Sequence, residues 1–116
     1  ASRNEQLPAD ARAGKTFRIH IGPKPSSGKA WAIAGFAKRD GLSAARFEAK
    51  LNGQRLQVVE DLAATKELGG ESARAVRFVC PLDALKAGYN QLHLAQTAGS
   101  GGQQIVWLEL RVEPSN

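Results

Sequence analysis

The residues of this chain that carry reactive chemistry are few and scattered. His20 and His93 lie far apart, and no His-x-x-x-His motif occurs that would place two imidazoles on one metal. Cys80 is the single cysteine, so no intramolecular disulfide and no cysteine-built metal site can form. Within the apolar run "VRFVCPL" it reads as a small buried hydrophobe. None of the serines sits in a Gly-x-Ser-x-Gly nucleophile elbow. The "GSGG" run at 99–102 is not followed by a helix whose amides would bind phosphate, so it reads as a flexible hairpin connection. Asp10, Asp40, Asp61 and Asp83 fall among loops, and a structural calcium ion would have to be held mainly by carbonyl oxygens. Catalysis requires positioned acids, bases or nucleophiles, and none stands out, so no enzyme and no cofactor are expected.

Binding chemistry is better represented. In "IVWLELRV", alternation places Val106, Leu108, Leu110 and Val112 on one face and Ile105, Trp107, Glu109 and Arg111 on the other. Two charges are costly to bury, so the first face is expected in the core. Trp107 then faces outward between charged neighbours. An indole in that setting suits the apolar C–H face of a sugar ring, with hydrogen-bonding side chains at its edge. The same outward alternation collects Arg18, His20, His93 and Arg111 around it, provided their strands share a sheet. Trp31 is the second aromatic candidate.

The chain of 116 residues is one domain's worth. Residues 1–15 read as an irregular lead-in and residues 16–116 as a single domain. No apolar run approaches the ~20 residues that span a bilayer, and the first residues lack the apolar core of a signal peptide, so no membrane association is expected. Without an initiator Met the sequence reads as a piece of something longer. Net charge is +5, and residues 1–58 hold 11 Lys/Arg against 4 Asp/Glu. That excess suits an anionic partner. Nucleic acid ranks below carbohydrate because a single-strand binder needs several stacking aromatics, and Trp31, Trp107 and Tyr89 are the only candidates.

Those side chains must be carried by strands. "TFRIHI" and "NQLHLAQ" alternate at period two, "AWAIAGFA" alternates small residues with Trp31 and Ile33, and "ARAVRFVCP" ends at Pro81. "ARFEAKLNGQRLQVVE" reads as a β-hairpin, because Asn52-Gly53 favours the left-handed dihedrals of a type I′ turn. "KRDGLSA" reads as a turn at Asp40-Gly41, "DLAATKELGGES" as a helical turn or mobile loop ended by Gly69-Gly70, and "PLDALKAGYN" as a short helical turn. About seven short strands separated by turn signals predict an all-β sandwich.

The order "LNGQRL", then a strand into "CPLDALKAGYNQLHL", then "IVWLELRV" resembles the jelly-roll, galactose-binding-like accessory domains of secreted bacterial carbohydrate-active proteins. The likeness covers residues 47–112 and rests on Leu51, Asn52, Gly53, Pro81, Leu82, Leu85, Gly88, Asn90, Leu92 and Leu94, all structural positions. It implies a jelly-roll antiparallel β-sandwich, a secreted, periplasmic or cell-surface location within a larger protein, and a non-catalytic role. The expected function is therefore binding of a polysaccharide or oligosaccharide, acidic or sulfated by preference, through Trp107 with Arg18, His20, His93, Arg111 and Trp31. The alternative is a structural spacer that packs against a neighbouring catalytic domain through the same face.

Overall fold

In the computed structural model, which describes residues 7–63 and 71–113, nine strands follow one another. They are β1 (Ala9–Asp10), β2 (Lys15–His20), β3 (Lys29–Phe36), β4 (Arg46–Leu51), β5 (Gln54–Arg55), β6 (Gln57–Ala63), β7 (Arg74–Val79), β8 (Tyr89–Ala98) and β9 (Gln104–Glu113). They form a five-stranded sheet, β1-β9-β3-β7-β6, and a four-stranded sheet, β2-β8-β4-β5, with every pairing antiparallel. Strands β1 to β4 alternate between the two sheets, as do β7 to β9. This is the order of a jelly roll, in which a long two-stranded ribbon winds around a single core.

The inward residues of both sheets build that core. Phe17 and Ile19 from β2, Phe47, Ala49 and Leu51 from β4, and Leu92 and Leu94 from β8 meet Val76, Phe78, Leu108 and Leu110 of the other sheet in one cluster. The inner face of β3 is Ala30, Ala32 and Ala34, each almost fully buried, which leaves room for the bulky side chains of the facing sheet. At the end of β3, Phe36 stacks on Phe47 across the core with ring centroids 4.0 Å apart.

The Asn52-Gly53 turn has φ values of 50° and 87°, both left-handed as a type I′ turn requires, and it pairs Leu51 with Gln54. The Asn52 side chain also ties the hairpin to the next layer. Its Nδ2 donates to the Ala84 carbonyl at 2.8 Å and to Asn90 Oδ1 at 2.9 Å, and its Oδ1 accepts from the Gln91 amide. Asn90 is fully buried; its Oδ1 also accepts from the Lys86 amide, and its Nδ2 donates to the Lys86 and Gly88 carbonyls. The Asn90 carboxamide thereby closes the turn that follows the short 3-10 helix Leu82–Ala84.

Four expectations change. Residues 7–15 are not a separate lead-in, because Ala9 and Asp10 pair with Ile105 and Gln104 and Ala11 is fully buried. The segment from Asp61 to Ala63 continues β6 instead of forming a helical turn, while residues 64–70 of that segment, with Gly69-Gly70, lie outside the described residues. Ile105 points into the core, since a bulge opposite Gly35 and Phe36 inserts Val106 as an extra residue and reverses the facing of everything before it. The glycine loop is braced by side chains: Arg12 donates to the Gly99 carbonyl, Gln96 to Gly101 and Arg39 to Gly102.

Asn90→Ala is expected to lower the unfolding free energy by about 3 kcal/mol, because it strands several partly buried donors and acceptors at once. Urea denaturation followed by circular dichroism measures it, and a loss below about 1 kcal/mol would show that water replaces the carboxamide.

Candidate functional site

The expected site residues divide between the two outer faces of the sandwich. Trp31 on β3 and Trp107 and Arg111 on β9 share the outer face of the five-stranded sheet. Arg18 and His20 on β2 and His93 on β8 lie on the outer face of the four-stranded sheet. Sheets in a sandwich pack about 10 Å apart with their outer faces turned away from each other. A single site joining Trp107 to Arg18, His20 and His93 therefore does not exist, because those strands do not share a sheet.

The tryptophan face is built on three adjacent strands. Trp107 pairs with Gly35, Glu109 with Ile33 and Arg111 with Trp31, while Ile33 also pairs with Arg77 of β7 and Gly35 with Ala75. Although they point away from the main core, Ile33 is 1% exposed and Ala75 is fully buried, because Trp31 and Trp107 pack over them. A small apolar layer thus lies beneath two half-buried indoles. Gly35 is required here: a Cβ at this position would overlap the Ser72 side chain and come within 3.0 Å of the Trp107 Cβ.

Glu109 organises the polar part of the face. It is 5% exposed and accepts the Trp107 Nε1–H at 3.0 Å through Oε1 and the Arg111 Nε–H at 3.2 Å through Oε2. A buried carboxylate without such partners would be strongly unfavourable, so the pairing explains how the charge is tolerated. The Arg77 guanidinium carbon sits 5.1 Å from the Trp31 ring centroid, in cation–π range. Beside Trp31 the surface opens into a cleft of about 470 Å³, lined by Trp31, Arg77, Val79, Val59, Lys29 and Pro81 among others. A second hollow of about 480 Å³ by β5 and β6 involves the Glu48–Arg55 pair and no tryptophan.

On the opposite face the Arg18 guanidinium lies 4.2 Å from the Tyr89 ring centroid, and His20 meets the same ring edge-on at 5.0 Å. His93 Nδ1 and Thr16 Oγ1 are 2.8 Å apart. Tyr89, a stacking candidate in the sequence, is 58% exposed at the His20 end of this face and carries both ring contacts. The roles of Glu109 and Arg77 were missed from the sequence. The usable signal for Glu109 was the Trp-x-Glu-x-Arg spacing, since residues two apart on a strand are neighbours on one face.

Among the described residues no group of three His, Cys, Asp or Glu side chains gathers to hold a metal. The loop carbonyls that would be candidates for calcium include those of Gly99, Gly101 and Gly102, which accept from Arg12, Gln96 and Arg39. Cys80 is buried, and its burial pushes the thiol from 9.0 to about 12 against a smaller lowering from a backbone hydrogen bond with Ala32. No helix among the described residues is long and apolar enough to cross a membrane. No protein-family model matches the chain, and no curated protein matches it.

Two outcomes follow from this geometry. Trp107→Ala uncovers Ile33 and Ala75 and frees a buried carboxylate oxygen, so it should cost about 2 kcal/mol of stability in thermal or urea unfolding. Cys80 should resist a thiol-specific disulfide reagent at about pH 8 in the native chain and react fully in denaturant. Because the unfolded thiol ionises first, the Cys80 contribution to stability is complete below pH 9.0 and declines as pH rises towards about 12.

Proposed function

We propose that the chain is a non-catalytic carbohydrate-binding module of a larger secreted polysaccharide-acting protein, with the tryptophan face of the five-stranded sheet as its sugar platform. The observation that carries this reading is the pair of indoles on one sheet face, packed over Ile33 and Ala75 and steadied by Glu109 and Arg77. Their strand positions differ by four residues, about 13 Å along the sheet, a separation suited to an extended oligosaccharide rather than a single sugar. Indoles pack against pyranose C–H faces, and the guanidinium groups of Arg77 and Arg111 and the amine of Lys29 stand nearby as donors to hydroxyl groups. Side chains already held in place lose little conformational entropy on binding. The secreted setting rests on the accessory-domain resemblance of residues 47–112 alone.

One observation favours the spacer reading. Val58 and Val59 are 44% and 45% exposed, and Val59 and Val79 line the cleft beside Trp31, forming apolar surface that a neighbouring domain could cover.

Affinity electrophoresis through gels containing neutral polysaccharides, at low and moderate salt, separates the two. The module reading expects retardation by at least one glycan that survives salt and is weakened about tenfold or more by Trp31→Ala with the far-UV spectrum unchanged. Unretarded migration in every gel would leave the spacer reading.

A further inference from the structure

We infer that the outer face of the four-stranded sheet is a second binding surface, separate from the tryptophans, whose ligand is an anionic polysaccharide. Charge is partitioned by sheet. The four strands of this sheet carry Lys15, Arg18, Arg46, Lys50 and Arg55 against one carboxylate, Glu48, a net of +4, and without Lys15, which lies on the Phe17 side of β2, the outward positions keep +3. The five strands of the other sheet carry four Lys/Arg against five carboxylates, a net of −1. Glu48 is 3.9 Å from Arg55. Among the described residues no carboxylate pairs with Arg18 or Lys50, both of which are exposed.

Register gives the surface its shape. His20 pairs with Tyr89, Arg18 with Gln91, and Thr16 with His93, which pairs on its other side with Lys50; Lys50 in turn pairs with Arg55. Successive outward rungs are about 7 Å apart and neighbouring strands about 4.8 Å apart, so these groups tile a flat area roughly 13 Å long and 14 Å wide. Cations spread over a flat face do not converge on one small anion. They match a chain carrying charges at intervals, and neutral partners alternate with them: the Gln91 amide, the Thr16 hydroxyl and the exposed Tyr89 ring. A polymer of uronic or sulfated sugars presents that mixture of anions, hydroxyl groups and apolar ring faces. Single-stranded nucleic acid would need a series of stacking aromatics, whereas here Tyr89 is alone and Arg18 lies over its ring.

This inference rests on the carbohydrate reading for the class of ligand only; its residues are distinct. The test is affinity electrophoresis of the whole chain through polygalacturonate, chondroitin sulfate and neutral-glycan gels, with R18Q/K50Q and W31A beside the wild type. The expected result is retardation by at least one acidic glycan that weakens with salt, falls at least about tenfold in R18Q/K50Q and is unchanged in W31A. Migration of R18Q/K50Q identical to wild type in the acidic gels would overturn the proposal, as would an equal loss in W31A. Binding of a single-stranded oligodeoxynucleotide of matched charge more tightly than the acidic glycans would overturn it in favour of nucleic acid. Failure of every acidic gel to retard the wild type would also refute it, and the neutral gels would then report separately on the tryptophan face.

Discussion

The fold depends on one requirement: both sheets must contribute their apolar face to a single shared core. Each strand has only two faces, so committing one inward places every remaining side chain outward. The alanine face of β3 makes this workable, because Ala30, Ala32 and Ala34 leave room for phenylalanines and leucines from the facing sheet. Larger residues there would push the sheets apart and weaken the packing of Phe17, Leu92 and Leu94. Everything polar or aromatic that does not fit this core is distributed over two surfaces that face away from each other.

On one of those surfaces the outward residues create a second, shallow apolar layer. Ile33 and Ala75 are as buried as core residues, and Trp31 and Trp107 pack against them. Trp107 and Glu109 stabilise each other: the indole N–H satisfies a carboxylate oxygen, and the carboxylate fixes the plane of the indole. Arg111 supplies the compensating charge at 3.2 Å. Gly35 completes the arrangement by offering no side chain where Trp107 and Ser72 need the space. An aromatic surface held this way is fixed in place, which is what the proposed sugar-binding role would need.

Side-chain to backbone hydrogen bonds do the work at the ends of the sandwich that longer secondary structure does elsewhere. Asn52 and Asn90 join the hairpin to the turn after Leu82–Ala84, and Arg12, Gln96 and Arg39 occupy the carbonyls of the glycine loop. Such bonds satisfy backbone groups that no strand or helix partner reaches. They also hold β8 and β9, the hairpin that supplies a central strand to each sheet, in register.

Local pattern was enough to establish most of the strands, the left-handed Asn52-Gly53 turn, the buried Cys80 and the outward direction of Trp107, Arg111, Arg18 and His20. Each of these depends on the period-two geometry of a strand or on the dihedral preferences of two turn residues, which act within a few positions. The expected hairpin keeps only Gln54–Arg55 as its second arm, since Gln57–Ala63 crosses to the other sheet. The inward turn of Ile105 was not legible, because a bulge is defined by the partner strand, and nothing in "QIVW" marks Val106 as the extra residue. Pairing of Ala9 and Asp10 with β9 was equally hidden, since a two-residue edge strand has no period to read. Alternation says which way a side chain points but not which sheet its strand joins. That choice is made by long-range pairing and by the joint core, and it alone brought Trp31 to Trp107, parted both from Arg18, His20 and His93, and set Arg18, Lys50 and Arg55 on one face with Tyr89.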